Sequence, residues 1–183
     1  SDWLERNAPS LPRADAAALT ASIRRAASIH LAHIAAGGDP FETGSARPLD
    51  YGHWAAHKLE VSSGHALRHG EAVAIGMLLD ARYAERAGLL PPEDLERIAA
   101  LPAALGLPRF HPALAEEREG RPAVLAGLEE FREHLGGRLT ITLLTGIGRT
   151  RDVCEMDTER IAGGVRWLAA AGARWCSSPS APP

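Results

Sequence analysis

The stretch Ala72-Val73-Ala74-Ile75-Gly76-Met77-Leu78-Leu79 is apolar round nearly the whole circumference of a helix. A helix of that kind has no solvent face, so it predicts burial on most sides. It lies within a longer helical pattern that begins near His69, runs to Ala87 and is ended by Gly88. A central helix must be wrapped by other elements, and the remaining sequence offers amphipathic ones.

Residues 14–36 place Leu19, Ile23, Ala27, His30 and Ile34 on one stripe, and Gly37-Gly38-Asp39-Pro40 stops the pattern. A short helix is predicted from about Tyr51 to Val61, broken by Ser62-Ser63-Gly64. Pro91-Pro92-Glu93-Asp94 opens another that reaches about Leu105, with proline and acids in its first turn. A further helix is predicted from Arg121 to His134. The period then changes. Residues 138–144 alternate and are β-rich, Gly146-Ile147-Gly148 turns, and Thr150 to Glu155 returns. Asp157 to Ala171 reads as a closing amphipathic helix. The expectation is a mainly α, multi-helix domain over residues 1–176 carrying one small β-hairpin. A Pro/Ser-rich tail at 177–183 is expected to be disordered.

Bulk properties exclude some functions. A net charge of −3 gives no electrostatic case for nucleic acid as the main partner. No 18-residue apolar run predicts a membrane span. Cys154 and Cys176 form no CxxC pattern, and no secretory signal is visible, so a reduced, cytoplasmic chain is expected.

Four of the eight histidines fall at 53, 57, 65 and 69. Residues four apart share a helix face, which pairs His53 with His57 and His65 with His69. Imidazoles converging at about 2 Å from one point hold a divalent metal. The HExxH pattern fails because Trp54 follows His53. No Rossmann glycine fingerprint, P-loop or nucleophile elbow occurs. On spacing alone, the cluster reads either as a metal site or as half-exposed helix histidines.

The segment from Arg47 to Ala81 resembles the signature of the 3-dehydroquinate synthase family, the sugar phosphate cyclases. That family carries a stretch like L-N-x-G-H-T-x-G-H-A-x-E, then L-x-H-G-E-A-V-A-I-G-M. Here it reads Leu49-Asp50-Tyr51-Gly52-His53-Trp54-Ala55-Ala56-His57-Lys58-Leu59-Glu60, then His69-Gly70-Glu71-Ala72-Val73-Ala74-Ile75-Gly76-Met77. The resemblance implies the family's C-terminal helical domain. It implies an NAD-binding domain and a third metal ligand, a glutamate, upstream of Ser1. It implies His53 and His69 as ligands to a divalent metal, zinc or cobalt, and His57 as the proton-handling catalytic residue. Arg47, Asp50, His30 and Arg132 are the implied substrate-binding positions. The same resemblance implies the partners: a heptulose phosphate substrate and, in the full-length protein, a homodimer.

Departures from the pattern bear on substrate. Asp50 stands where the family usually has asparagine, His30 where it usually has lysine, and Arg132 or Glu133 near its late active-site lysine. An aspartate repels a carboxylate and accepts from a hydroxyl. Asp50 is in this respect similar to the sedoheptulose 7-phosphate cyclases. The implied reaction is that of a carbon–oxygen lyase: NAD-dependent transient oxidation, phosphate elimination, re-reduction and aldol closure of a carbocycle. Two other classes fit the residues, a non-catalytic helical interaction domain and a stand-alone metallohydrolase.

Overall fold

The computed structural model describes residues 2–36, 48–134 and 136–176. Among them are seven α-helices: α1 (Asp2–Asn7), α2 (Ala16–Ala35), α3 (His53–Ser62), α4 (His69–Arg86), α5 (Pro92–Ala104), α6 (Ala126–His134) and α7 (Thr158–Cys176). Four short strands complete it: β1 (Glu117–Arg118), β2 (Arg121–Pro122), β3 (Ile141–Gly146) and β4 (Arg149–Val153). The predicted tail at 177–183 lies outside the described residues.

α4 is the axis of the fold, as its all-round apolar sequence requires. Ala72, Ile75, Leu78, Leu79, Ala81 and Ala84 are completely buried. α3, α5, α7 and β3 pack against it. The core they share holds Trp54 and Leu59 from α3, Leu95 from α5, Ile141 and Leu143 from β3, and Ile161 and Leu168 from α7. Polar ties close the shell. The Asp157 amide donates to the Tyr83 hydroxyl at 3.0 Å, and the Ile147 amide donates to Asp94 Oδ2 at 3.2 Å. The first joins the start of α7 to α4, and the second joins the β3–β4 turn to α5.

The expected hairpin is β3–β4, and the described residues add a second antiparallel pair, β1–β2. The helix expected from Arg121 starts only at Ala126, because Arg121-Pro122 pairs with Glu117-Arg118. Glu119 and Gly120 both take positive φ (53° and 74°), the backbone of a tight two-residue turn. The α2 stripe is also less buried than its spacing suggests. Ala18 is its one buried residue, and Ile23 is 68% exposed. No described helix is long and apolar enough to cross a membrane.

Candidate metal and substrate site

The site forms where α3 and α4 begin. Gly52 precedes α3 in a left-handed conformation (φ 82°), and His53 is the first helical residue. His57 and Glu60 follow one and two turns later on α3. The chain then reverses through Ser63–Arg68, with the His65 amide bonded back to the Glu60 carbonyl at 2.9 Å. His65 itself is exposed in that turn. The reversal delivers His69 as the first residue of α4. Glu71 secures this start by accepting from the Arg68 amide at 2.8 Å.

Three imidazoles therefore converge from two helix starts. Ring centroids are 5.7 Å apart for His53 and His57, 5.3 Å for His53 and His69, and 6.0 Å for His57 and His69. Their nitrogens are already oriented. His53 Nδ1 lies 3.3 Å from the Tyr51 carbonyl, and His69 Nδ1 lies 3.1 Å from Glu60 Oε2. Both partners are acceptors, so each Nδ1 donates, and in the neutral ring Nε2 carries the lone pair a metal uses. Candidate ligand atoms of His57, Glu60 and His69 all lie within 4.8 Å of one another. Imidazole nitrogen with carboxylate oxygen is the donor chemistry that zinc and cobalt accept, so these residues fit a divalent transition metal.

Beneath the histidines is a buried acid. Asp80 on α4 is completely inaccessible. Its Oδ2 accepts from the Gly52 amide at 3.0 Å, and its Oδ1 accepts from the Trp54 indole Nε1 at 2.8 Å. Burial lifts its pKa to about 7, against the lowering effect of those two bonds. Burial, with the nearby Asp80 charge second, also holds the Tyr51 phenol well above its usual value. The Tyr51 hydroxyl donates to the Met77 carbonyl at 2.8 Å.

Comparison with known proteins places this geometry. The family model described as 3-dehydroquinate synthase C-terminal matches residues 1–120. The chain belongs to that family. It is 35% identical over 161 residues to the 3-dehydroquinate synthase of Xylella fastidiosa (strain M12), covering 85% of this chain and 42% of the relative. It is 35% identical over 162 residues to that of Xanthomonas campestris pv. campestris (strain 8004), with the same coverage of each. The chain thus spans 42% of the length of these curated relatives. Among solved structures it resembles ValA, a 2-epi-5-epi-valiolone synthase from Streptomyces hygroscopicus subsp. jinggangensis 5008. That protein was solved with NAD+ and Zn2+ bound; the match has TM-score 0.73 and 29% identity and covers 86% of this chain and 41% of that one. A 2-deoxy-scyllo-inosose synthase complexed with carbaglucose-6-phosphate, NAD+ and Co2+ shares the fold. It has TM-score 0.55 and 23% identity, covering 70% of this chain and 37% of that one.

Within this dehydroquinate synthase-like domain, the other expected site residues are distributed unevenly. Asp50 is half-buried and ends a single 3-10 turn, Pro48–Asp50, immediately before the Gly52-His53 step. Arg47 lies outside the described residues. His30 is exposed on α2 and is not among the imidazoles brought together. Arg132 is exposed on α6, where its guanidinium forms an ion pair with Glu129 one turn earlier. Two residues of the site escaped the sequence reading. Glu60 stood inside the quoted motif without a role. Asp80 was signalled only by being the first acid after an apolar octet on a helix predicted to be buried.

Proposed function

We propose that this chain is the metal- and substrate-binding domain of an NAD-dependent sugar phosphate cyclase acting on a heptulose phosphate. The observation that carries this reading is the convergence of His53, His57 and His69, with centroids 5.3–6.0 Å apart, at the paired starts of α3 and α4. His53 and His69 would hold the divalent metal, zinc or cobalt, through Nε2. The solved relative ValA, with Zn2+ and NAD+ bound, supports a divalent metal and NAD as the cofactors. When bound, the metal supplies Lewis-acid polarisation of oxygen, and NAD supplies hydride chemistry.

The chain's own residues have separate tasks. Glu60 accepts from His69 Nδ1 and holds that ring in one tautomer. The Tyr51 carbonyl does the same for His53. His57, the remaining imidazole, takes the proton of the substrate's secondary alcohol and returns it later in the cycle. Asp50 accepts hydrogen bonds from substrate hydroxyls, and Arg47 holds an anionic group in its fork. His30 and Arg132 complete the substrate set of this reading. A homodimer of the full-length protein belongs to the same reading.

A second assignment has one observation in its favour. His57, Glu60 and His69 bring three ligand atoms within 4.8 Å, which would make a metal site contained in this chain. Single alanine variants titrated with Co2+ separate the two. Loss of binding in His53→Ala and His69→Ala, with Glu60→Ala only weakened, by about 10- to 100-fold, supports the first. Loss in His57→Ala, Glu60→Ala and His69→Ala, with His53→Ala unaffected, supports the second. Parent-like binding in all four rejects both.

A further inference from the structure

The backbone that delivers His53 is held by one buried side chain outside the histidine cluster. Asp80 sits on α4, more than two turns beyond His69, and is completely inaccessible. Its two oxygens take separate donors: the Gly52 amide at 3.0 Å and the Trp54 indole at 2.8 Å. Those donors belong to the residues on either side of His53. A third bond, from the Tyr51 hydroxyl to the Met77 carbonyl at 2.8 Å, ties the same segment to the same helix. Close backbone packing removes any slack. A Cβ built on Gly76 would sit 2.1 Å from the Gly52 carbonyl oxygen, and one on Gly52 would sit 2.6 Å from the Met77 amide.

An ordinary core position would hold an apolar residue here, since burying a carboxylate is costly. Asp80 instead satisfies two donors that no apolar side chain could. The Gly52 amide is a first-turn donor with no helical partner of its own. The Trp54 indole is fully enclosed, and its N–H needs an acceptor. The two bonds together fix both the translation and the rotation of the α3 start relative to α4. That relation is the one on which the His53–His69 separation depends.

We propose that Asp80 is a positioning residue for the histidine site, gripping Gly52 and Trp54 so that the imidazole of His53 meets that of His69. The inference rests on the metal reading above and extends it to a residue that touches neither metal nor substrate. An Asn cannot substitute. Its single carbonyl oxygen accepts from one donor, and its NH2 group then faces the other N–H.

The test is Co2+ binding by the chain, followed by the visible absorption band and by isothermal titration, with circular dichroism recording the fold. Asp80→Asn is expected to remain helical and to bind Co2+ about 10- to 100-fold more weakly, with an altered band. Trp54→Phe keeps the ring and removes one donor; it is expected to weaken binding several-fold. Leu168→Ala, a core truncation on α7, controls for general destabilisation and should bind like the parent. Parent-like affinity and spectrum in Asp80→Asn overturns the proposal while leaving the metal site intact. If Asp80→Asn does not fold, Trp54→Phe decides, and parent-like binding there overturns it. A parent that binds Co2+ no better than a His53→Ala/His69→Ala double variant overturns the metal reading, and the Asp80 role with it.

Discussion

Burial disfavours the charge on Asp80 more than its two accepted hydrogen bonds favour it, and that has a consequence for stability. Its ordinary pKa of 3.8 rises to about 7 in the fold. The folded state therefore binds this proton more tightly than the unfolded state does. Stability from this group is full below pH ~4 and is lost as pH climbs towards 7. Above that, the fold carries the buried charge. Tyr51, whose phenol feels the Asp80 charge, stays neutral throughout this range because its own pKa is pushed upward, by burial first. Urea midpoints at pH 5 and pH 8, measured with chelator present, should differ between the parent and Asp80→Asn. The parent should lose more stability on going to pH 8, because the amide has no charge to bury. An identical pH dependence in both proteins would show that Asp80 does not titrate in this window.

Asp50 carries the prediction about substrate at the same scale. It lies three residues before His53, and an ionised carboxylate there disfavours a second carboxylate nearby. On the proposed function, the full-length protein supplied with NAD should release phosphate faster from sedoheptulose 7-phosphate than from a carboxylate-bearing heptulosonate phosphate. Asp50→Asn should shift the ratio of the two kcat/KM values towards the carboxylate by on the order of tenfold, about 1.4 kcal/mol. An unchanged ratio would remove Asp50 from the specificity argument.

Between elements, the α3–α4 crossing concentrates the constraints. Gly76 lies in the middle of a helix, where glycine is intrinsically unfavourable. It is tolerated because the Gly52 carbonyl occupies the space a methyl would need, 2.1 Å from a built Cβ. Gly76→Ala should lower stability by about 1–3 kcal/mol or more through overpacking. Gly70, in the first turn of the same helix, has nothing within 4 Å of a built Cβ. Gly70→Ala should be neutral or stabilising by up to about 1 kcal/mol. Chemical denaturation of the two variants measures the contrast. It also marks what the sequence made legible. The apolar octet 72–79 identified α4 and its burial, because an all-round apolar helix has no alternative. The β1–β2 pair was missed because Glu117-Arg118 and Arg121-Pro122 are too short and too polar to show alternation. Its only signal was the Glu119-Gly120 turn. The histidines were legible through their spacing and the family resemblance. Glu60 and Asp80 were not, since their roles depend on partners 9 and 28 residues away that only the packed crossing supplies.

At the scale of the whole molecule, the site and the core are one structure. α3 and α4 carry the histidines, and the same two helices contribute Trp54, Leu59, Ile75, Leu78 and Leu79 to the cluster shared with α5, β3 and α7. A metal bound across the two helix starts therefore joins elements that separate only when the core opens. Binding to the folded form alone stabilises it by about 2.7 kcal/mol at a free metal concentration 100-fold above Kd. For a chain of 183 residues, roughly 2–4 °C accompanies each kcal/mol. Saturating Zn2+ or Co2+ should then raise the thermal midpoint by roughly 5–10 °C, and a chelator should reverse the shift. His69→Ala removes the proposed ligand on α4 while leaving the apolar core in place, so it should melt near the metal-free parent and show no shift with metal. A full shift in His69→Ala would mean that the metal binds elsewhere. No shift in the parent at millimolar metal would mean that the three imidazoles do not close on an ion in this chain.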